Sequence, residues 1–197
     1  MLAGEQYHVF NHANGRENLF LEEKNYVFFL EKLEQYILPV CKMYAYCLLP
    51  NHFHLVMEVR SENYLNALWN SNPGMSLPQD KLQYKTSKAF ANFFSSYTQS
   101  FNKVYNRKGS LFIPSMKIKL ITDELSFCKV VHYTHANPVH HGLTGSMQDW
   151  KNSSYRIFLS NSPTKIDREY VLDMFGGRSA FIKYHQQSID LKTRFLE

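Results

Sequence analysis

No stretch of this chain is apolar for long enough to span a bilayer: the longest such runs, among them 45–50, fall far below the roughly 20 residues required. The start, Met1-Leu2-Ala3-Gly4-Glu5-Gln6, lacks the charged-then-apolar pattern of an export signal. The expectation is a soluble, cytoplasmic protein with no membrane partner. Cysteine is scarce as well. Cys41, Cys47 and Cys128 have no Cys-x-x-Cys spacing and sit in apolar segments, which excludes a disulfide framework or a cysteine zinc site and leaves reduced core residues. Acid is missing from one region altogether. Between Lys81 and Thr122 there is no Asp or Glu, while eight cations occur there, against a net charge of +5 for the whole chain, so the remainder is net acidic.

What is present is ample apolar mass. With 197 residues, 44% hydrophobic and 15% aromatic, the chain can bury one core. Strand character over Gln6–His12 is followed by an Asn14-Gly15-Arg16 turn and then by a helix over 22–38, with Tyr26, Phe29, Leu30, Leu33 and Ile37 at helical spacing until Pro39. Lys42–Leu48 and the segment from His52 onward read as a hairpin through Pro50-Asn51. Residues 61–80 read as a loop with one helical turn, and Ser87–Tyr105 as an amphipathic helix. Lys117–Ile121 is a fourth strand. Thr122, Asp123 and Glu124 then cap a helix carrying Leu125, Cys128, Val131 and Tyr133, closed at Pro138. This order predicts an α+β fold, a ferredoxin-like split βαβ antiparallel sheet with helices on one face and the other face open.

Alternation in His52-Phe53-His54-Leu55-Val56-Met57-Glu58-Val59 gives the third strand a dry side, Phe53, Leu55, Met57 and Val59, and a second side holding His52, His54 and Glu58. Side chains two apart on a strand lie about 6.5–7 Å from each other, so both imidazoles can turn onto one ion. The pair is either a two-point metal clamp or two rings facing solvent and polar neighbours. Tyr133 and Asn137, four residues apart on a helix, share one side of it. An amide oxygen there can serve a hard cation, and a phenol can attack phosphorus. Tyr133 is equally a candidate packing residue, being one of thirteen tyrosines.

The cations of the acid-free stretch, Arg107, Lys108, Lys117 and Lys119 foremost, are candidate DNA-binding residues, because they combine charge with interleaved rings. The rings themselves, Phe90, Phe93, Phe94, Tyr97 and Phe101, sit at helical spacing and read as core.

Four segments, 45–55, 106–112, 132–143 and 149–155, resemble in order and spacing the single-tyrosine transposases with a His-hydrophobe-His motif, and more narrowly the REP-associated tyrosine transposases. The resemblance implies that His52, His54 and Asn137 hold Mg²⁺ or Mn²⁺ and that Tyr133 is the nucleophile. It implies cleavage and rejoining of single-stranded DNA, with a hairpin nearby, through a 5′-phosphotyrosine link. It leaves open a homodimer and whether the tyrosine acts within or across subunits. Two departures are His140-His141, where the family often has Arg-Ala, and Ile113-Pro114-Ser115, where a more basic segment is common. The rival readings are a non-catalytic nucleic-acid-binding module on a ferredoxin-like sheet and a zinc hydrolase. The chain shows no His-x-His-x-Asp-His or His-Glu-x-x-His pattern to complete the latter's site. The division expected is a catalytic domain over 1–160 and a helical extension over 161–197, serving either DNA recognition or the covering of a core edge.

Overall fold

The computed structural model describes residues 1–70 and 76–187; the parts of the expected 61–80 loop and of the C-terminal extension at 71–75 and 188–197 lie outside them. Strand β1 (Gln6–His12) leads to α1 (Glu23–Tyr36), then to the hairpin β2 (Cys41–Leu49) and β3 (His52–Val59). Helices α2 (Glu62–Trp69) and α3 (Gln79–Val104) precede β4 (Lys117–Ile121), which is followed by α4 (Glu124–His140) and three short helices, α5 (Tyr155–Phe158), α6 (Arg168–Met174) and α7 (Arg178–His185). The four strands form one antiparallel sheet in the order β2-β3-β1-β4, the α+β ferredoxin-like arrangement the element order predicts.

The dry face of β3 is where the sequence pattern puts it. Phe53 is fully buried against Phe29 of α1 and Phe94 of α3, and Phe29 meets Phe93 and Tyr97 edge-on. Edge-to-face ring pairs are electrostatically favoured beyond their burial, by about 0.5–1.5 kcal/mol each. The Tyr97 hydroxyl donates to the Leu19 carbonyl at 2.7 Å, so its polar end is satisfied inside this aromatic core.

The second sheet face is not open. Helix α4 lies across it, setting Phe127 against Tyr44 and Tyr133 against His54. Helix α4 is itself covered by the segments around Tyr155 and α7, so almost every residue from Ser126 to Pro138 is buried. A helix enclosed on all sides has no polar face to read, which is why hydrophobic spacing did not place it on the sheet. Leu125, expected on the apolar side, is 60% exposed.

Three boundaries differ from the sequence expectation. Helix α3 begins at Gln79, eight residues before Ser87, because Leu82 and Thr86 extend the buried stripe of Phe90, Phe93, Tyr97 and Phe101 toward the N-terminus. Residues 62–69 form two turns of helix, capped by the Ser61 hydroxyl, which accepts from the Tyr64 amide. Helix α4 runs through Pro138 to His140. Proline removes one amide donor, a loss confined here to the last turn. The true stop is Gly142 at φ +67°, where the Leu143 amide donates back to the Pro138 carbonyl at 2.8 Å.

The described part of the extension packs on the main core. Ile166 pairs beside Met43 along the outer edge of β2, continuing the cover begun before the extension by Ser153 beside Cys47, while Phe181 is fully buried. Covering an edge strand removes a template for unwanted pairing. The three cysteines are free and buried, as their apolar surroundings predict.

Candidate metal and nucleophile site

Antiparallel register assembles the site. Opposite residues share a face, and β1 sets His8, Phe10 and His12 against Val56, His54 and His52. His12 stacks on His52 at 4.6 Å between ring centres, and the rings of His52 and His54 stand 5.2 Å apart, nearly perpendicular. From above, α4 brings the Tyr133 ring edge-on to His54 at 5.5 Å, and Asn137 close enough to His52 to act on its basicity. The sheet thus joins His52 and His54 to Tyr133 and Asn137, which lie some eighty residues away in the chain.

Burial then becomes decisive. His52 is 3% exposed and His54 and Asn137 are fully buried, so their polar atoms must find partners or bear a desolvation cost of about 1–3 kcal/mol each. His52 Nε2, His54 Nε2 and Asn137 Oδ1 have none within the described residues. The other end of each of these groups is fixed. His52 Nδ1 meets Asn51 Oδ1 at 2.8 Å; an amide oxygen only accepts, so Nδ1 carries the hydrogen and Nε2 a lone pair. His54 Nδ1 meets His8 Nε2 at 2.9 Å, a contact that needs one proton shared between the two rings. Asn137 Nδ2 donates to the Tyr133 carbonyl at 3.0 Å, which turns Oδ1 the other way.

Burial also holds these rings neutral. The His52 pKa is pushed down to about 3 by loss of solvent, with His12 and His141 adding repulsion, and His54 is driven well below the usual imidazole value by burial and then by His8. Neutral imidazoles with bare Nε2 atoms are the form that ligates metal. Two imidazole nitrogens and an amide oxygen suit a divalent ion such as Mn²⁺, which accepts mixed nitrogen and oxygen donors. The third donor is an amide, and among the described residues no three His, Cys, Asp or Glu side chains are placed to hold a metal. Glu58, on the same face of β3, is spoken for at its far end by the Tyr44 hydroxyl at 2.6 Å and Lys42 at 3.1 Å.

The four basic candidates separate. Lys117 and Lys119 stand opposite Phe10 and His8 on the histidine face, with Lys119 Nζ 5.4 Å from the Phe10 ring centre. Lys108 is exposed in the turn leading to Phe112, which bridges to Ala13 at the His12 end of the sheet. Arg107 is engaged inside the protein. Its guanidinium pairs in fork fashion with Glu17, whose carboxyl it holds below the ordinary range, and also donates to Asn102 and to the carbonyls of Gly109 and Ser110.

Sequence reasoning did not nominate His8, His12 or Asn51. Extending the alternation of β3 to its neighbour would have found the first two, since His8 and His12 share one face of β1. Asn51 was named only as a turn residue.

No protein-family model and no curated protein matches the sequence. Among solved structures, the chain is similar to a REP-associated tyrosine transposase bound to a REP hairpin: the alignment covers 83% of this chain and 84% of that one, at 16% identity and a TM-score of 0.51. The two chains share a fold over that aligned length, which in this chain is built on a four-stranded antiparallel sheet with helices.

Proposed function

We propose that this chain is a metal-dependent single-stranded DNA endonuclease and strand transferase, acting through a 5′-phosphotyrosine intermediate on DNA that carries a hairpin. One observation carries the reading: three buried polar atoms, His52 Nε2, His54 Nε2 and Asn137 Oδ1, lack protein partners beside a tyrosine ring. It is joined by the fold shared with a transposase whose structure was solved with a hairpin.

His52, His54 and Asn137 would hold Mg²⁺ or Mn²⁺, which when bound polarises a scissile phosphate and offsets its developing charge. Asn51 and His8 hold the two imidazoles by their Nδ1 atoms, leaving Nε2 of each for ligation. Asn137 fixes its own amide on the backbone of the nucleophile, so ligand and phenol move as one unit. Tyr133 Oη attacks phosphorus and loses its proton, the P–O3′ bond breaks, and the departing oxygen becomes a free 3′-hydroxyl. The reverse attack by a 3′-hydroxyl rejoins strands, because the tyrosyl phosphodiester keeps the energy of the broken bond. Lys117 and Lys119 flank the site and Lys108 stands at its end of the sheet, all three placed to meet phosphates. Arg107 supports that surface by ordering the turn that bears Lys108.

The test is covalent capture. Single strands labelled at the 3′ end are incubated with Mn²⁺ and resolved under denaturing conditions; wild type should carry the labelled fragment downstream of the break, joined through its 5′ phosphate to Tyr133 by peptide mass, while a 5′-end label stays on a free strand ending in a 3′-hydroxyl. Tyr133→Phe should bind the strand and form no adduct. An adduct in the Phe variant, or on another tyrosine, overturns the assignment. Binding without any adduct in wild type leaves a non-catalytic nucleic-acid-binding module.

A further inference from the structure

The acid-free stretch contains a second basic and aromatic surface, far from the metal triad. Its rings have mostly gone inside: Phe90, Phe93, Tyr97 and Phe101 are core. Tyr84 is the exception, 68% exposed on the first part of α3. It borders a groove of about 670 Å³ between α1, α2 and α3, whose lining includes Tyr36, Trp69, Lys81, Lys85 and Lys88. The three lysines are spaced four and three residues apart, so they form one row about 10 Å long on α3. Lys85 Nζ lies 5.4 Å from the Trp69 ring, and Lys32, outside the groove, approaches the Tyr36 ring at 5.9 Å.

Charge decides what such a groove can take. Among the described residues no Asp or Glu lines it, and no ion pair neutralises Lys81, Lys85 or Lys88. A row of cations beside aromatic faces is the combination that binds single-stranded nucleic acid: lysines follow the phosphates while rings accept bases of any sequence. An acidic peptide would satisfy the lysines and leave the rings without flat partners.

The groove also lies at the other end of the sheet. Val40 lines it, and the Val40 carbonyl accepts from the Arg60 amide just past the end of β3, whereas His52 begins that strand, about 23 Å away at roughly 3.3 Å per residue. It faces the side of α1 and α3, opposite α4. It is therefore a separate contact and not a wall of the catalytic site.

We propose that this groove is a second DNA-binding site, which takes single-stranded DNA without sequence preference, lysine row on phosphates and Tyr84, Trp69 and Tyr36 against bases. It rests on the reading of DNA as the partner of this chain, and it assigns that DNA a hold remote from the cut. Its function would be retention: a strand released from the metal triad stays attached through the distal groove, which raises its effective concentration for rejoining.

Trp69 is a built-in reporter. The chain has two tryptophans, and Trp150→Phe leaves Trp69 alone. Titrating that full-length protein with a (dT)20 strand should quench Trp69 fluorescence, and affinity should fall with salt. Lys81→Gln/Lys85→Gln/Lys88→Gln should reduce the salt slope by about 2, at roughly 0.7 per lost contact, so that wild type loses some 15- to 20-fold more affinity than the variant between 50 and 200 mM salt. Lys→Arg at the same positions should restore the slope, and unchanged melting temperatures would show that folding is not the cause. Absent quenching, an unaltered slope in the Gln variant, or stronger quenching by a polyglutamate peptide than by the strand overturns the proposal. Quenching needs no cleavage, so the two readings fail separately. Lysine-dependent quenching without an adduct keeps the groove and removes the tyrosine chemistry; an adduct with Trp69 unaffected does the reverse.

Discussion

Helix α4 separates two clusters of histidines that look alike in composition and differ in where their lone pairs point. Toward the sheet lie His8, His12, His52 and His54; toward α7 lie His132, His135 and His185. Apart from the half-buried His12, both clusters are buried, and in both loss of solvent pushes pKa values down, to about 3 for His52 and His185 and about 4 for His132. In the second cluster the hydrogen bonds close on themselves. His185 Nδ1 donates to the Phe181 carbonyl at 2.9 Å, which leaves its Nε2 to accept from His135 Nδ1 at 3.0 Å. His135 Nε2 in turn faces the Ser154 hydroxyl at 2.8 Å, leaving one bare nitrogen, His132 Nε2. In the first cluster His52 and His54 are each tied at Nδ1 and bare at Nε2, with the Asn137 amide oxygen added. Burial of histidine is thus no sign of ligation. Several unspent lone pairs in one place are.

The comparison breaks most visibly if the ligand atoms are removed. His52→Ala and His54→Ala should each abolish adduct formation and lower Mn²⁺ affinity by 100-fold or more in calorimetric titration. Because both rings are buried, these changes should also cost about 1–3 kcal/mol of stability, an effect an open sheet face would not have shown. Normal cleavage by either variant would remove the clamp.

His8 and His185 sharpen the contrast. His8→Ala frees the His54 ring from the bond that sets its orientation, and should weaken Mn²⁺ binding about 10- to 100-fold, with His8→Gln restoring part of it. His185→Ala should leave Mn²⁺ binding unchanged and reduce stability by about 2 kcal/mol, since it opens a hole against Phe181 and strands His135 Nδ1. Equal effects of the two variants on metal affinity would erase the distinction.

Acid should act on the second cluster through linkage. The folded pKa values of His132 and His185 lie below the ordinary 6.5, so under that pH the unfolded chain takes up protons that the folded chain excludes. Stability present above pH 6.5 therefore falls as pH drops toward 4 and then 3, by up to about 1.4 kcal/mol per pH unit for each histidine. Urea unfolding of metal-free protein at pH 7 and pH 5 would measure it, and His185→Leu should make the dependence shallower by about one histidine's share. A steeper dependence in that variant would contradict the buried neutral assignment.

The smallest effect expected is on the lysines beside the site. Lys117→Gln/Lys119→Gln should weaken single-strand binding at low salt and reduce the salt slope by about 1.4, with little change in melting temperature. An unchanged slope would return them to the status of an ordinary solvated surface.

Local pattern alone determined much of this molecule. Period-two alternation gave β3 its dry and polar sides, turn chemistry at Pro50-Asn51 gave the hairpin, helical spacing gave α1 and the core of α3, and an i, i+4 relation put Tyr133 and Asn137 on one side of α4. These features depend on residues within a turn or a strand of one another, so a single sequence contains them. What tertiary structure decided depends on distant pairing. Register between β1 and β3 placed His8 and His12 beside the motif, and the crossing of α4 turned an expected open face into a buried one. The Glu17 pairing of Arg107, ninety residues apart, took that cation out of the free surface, while the groove between α1, α2 and α3 gave Lys81, Lys85 and Lys88 a place beside the exposed Tyr84 and the half-buried Trp69 and Tyr36. The sequence names which groups can ligate, attack or carry charge; only the folded chain decides which of their lone pairs and charges remain unspent, because burial and cross-strand register settle each partner.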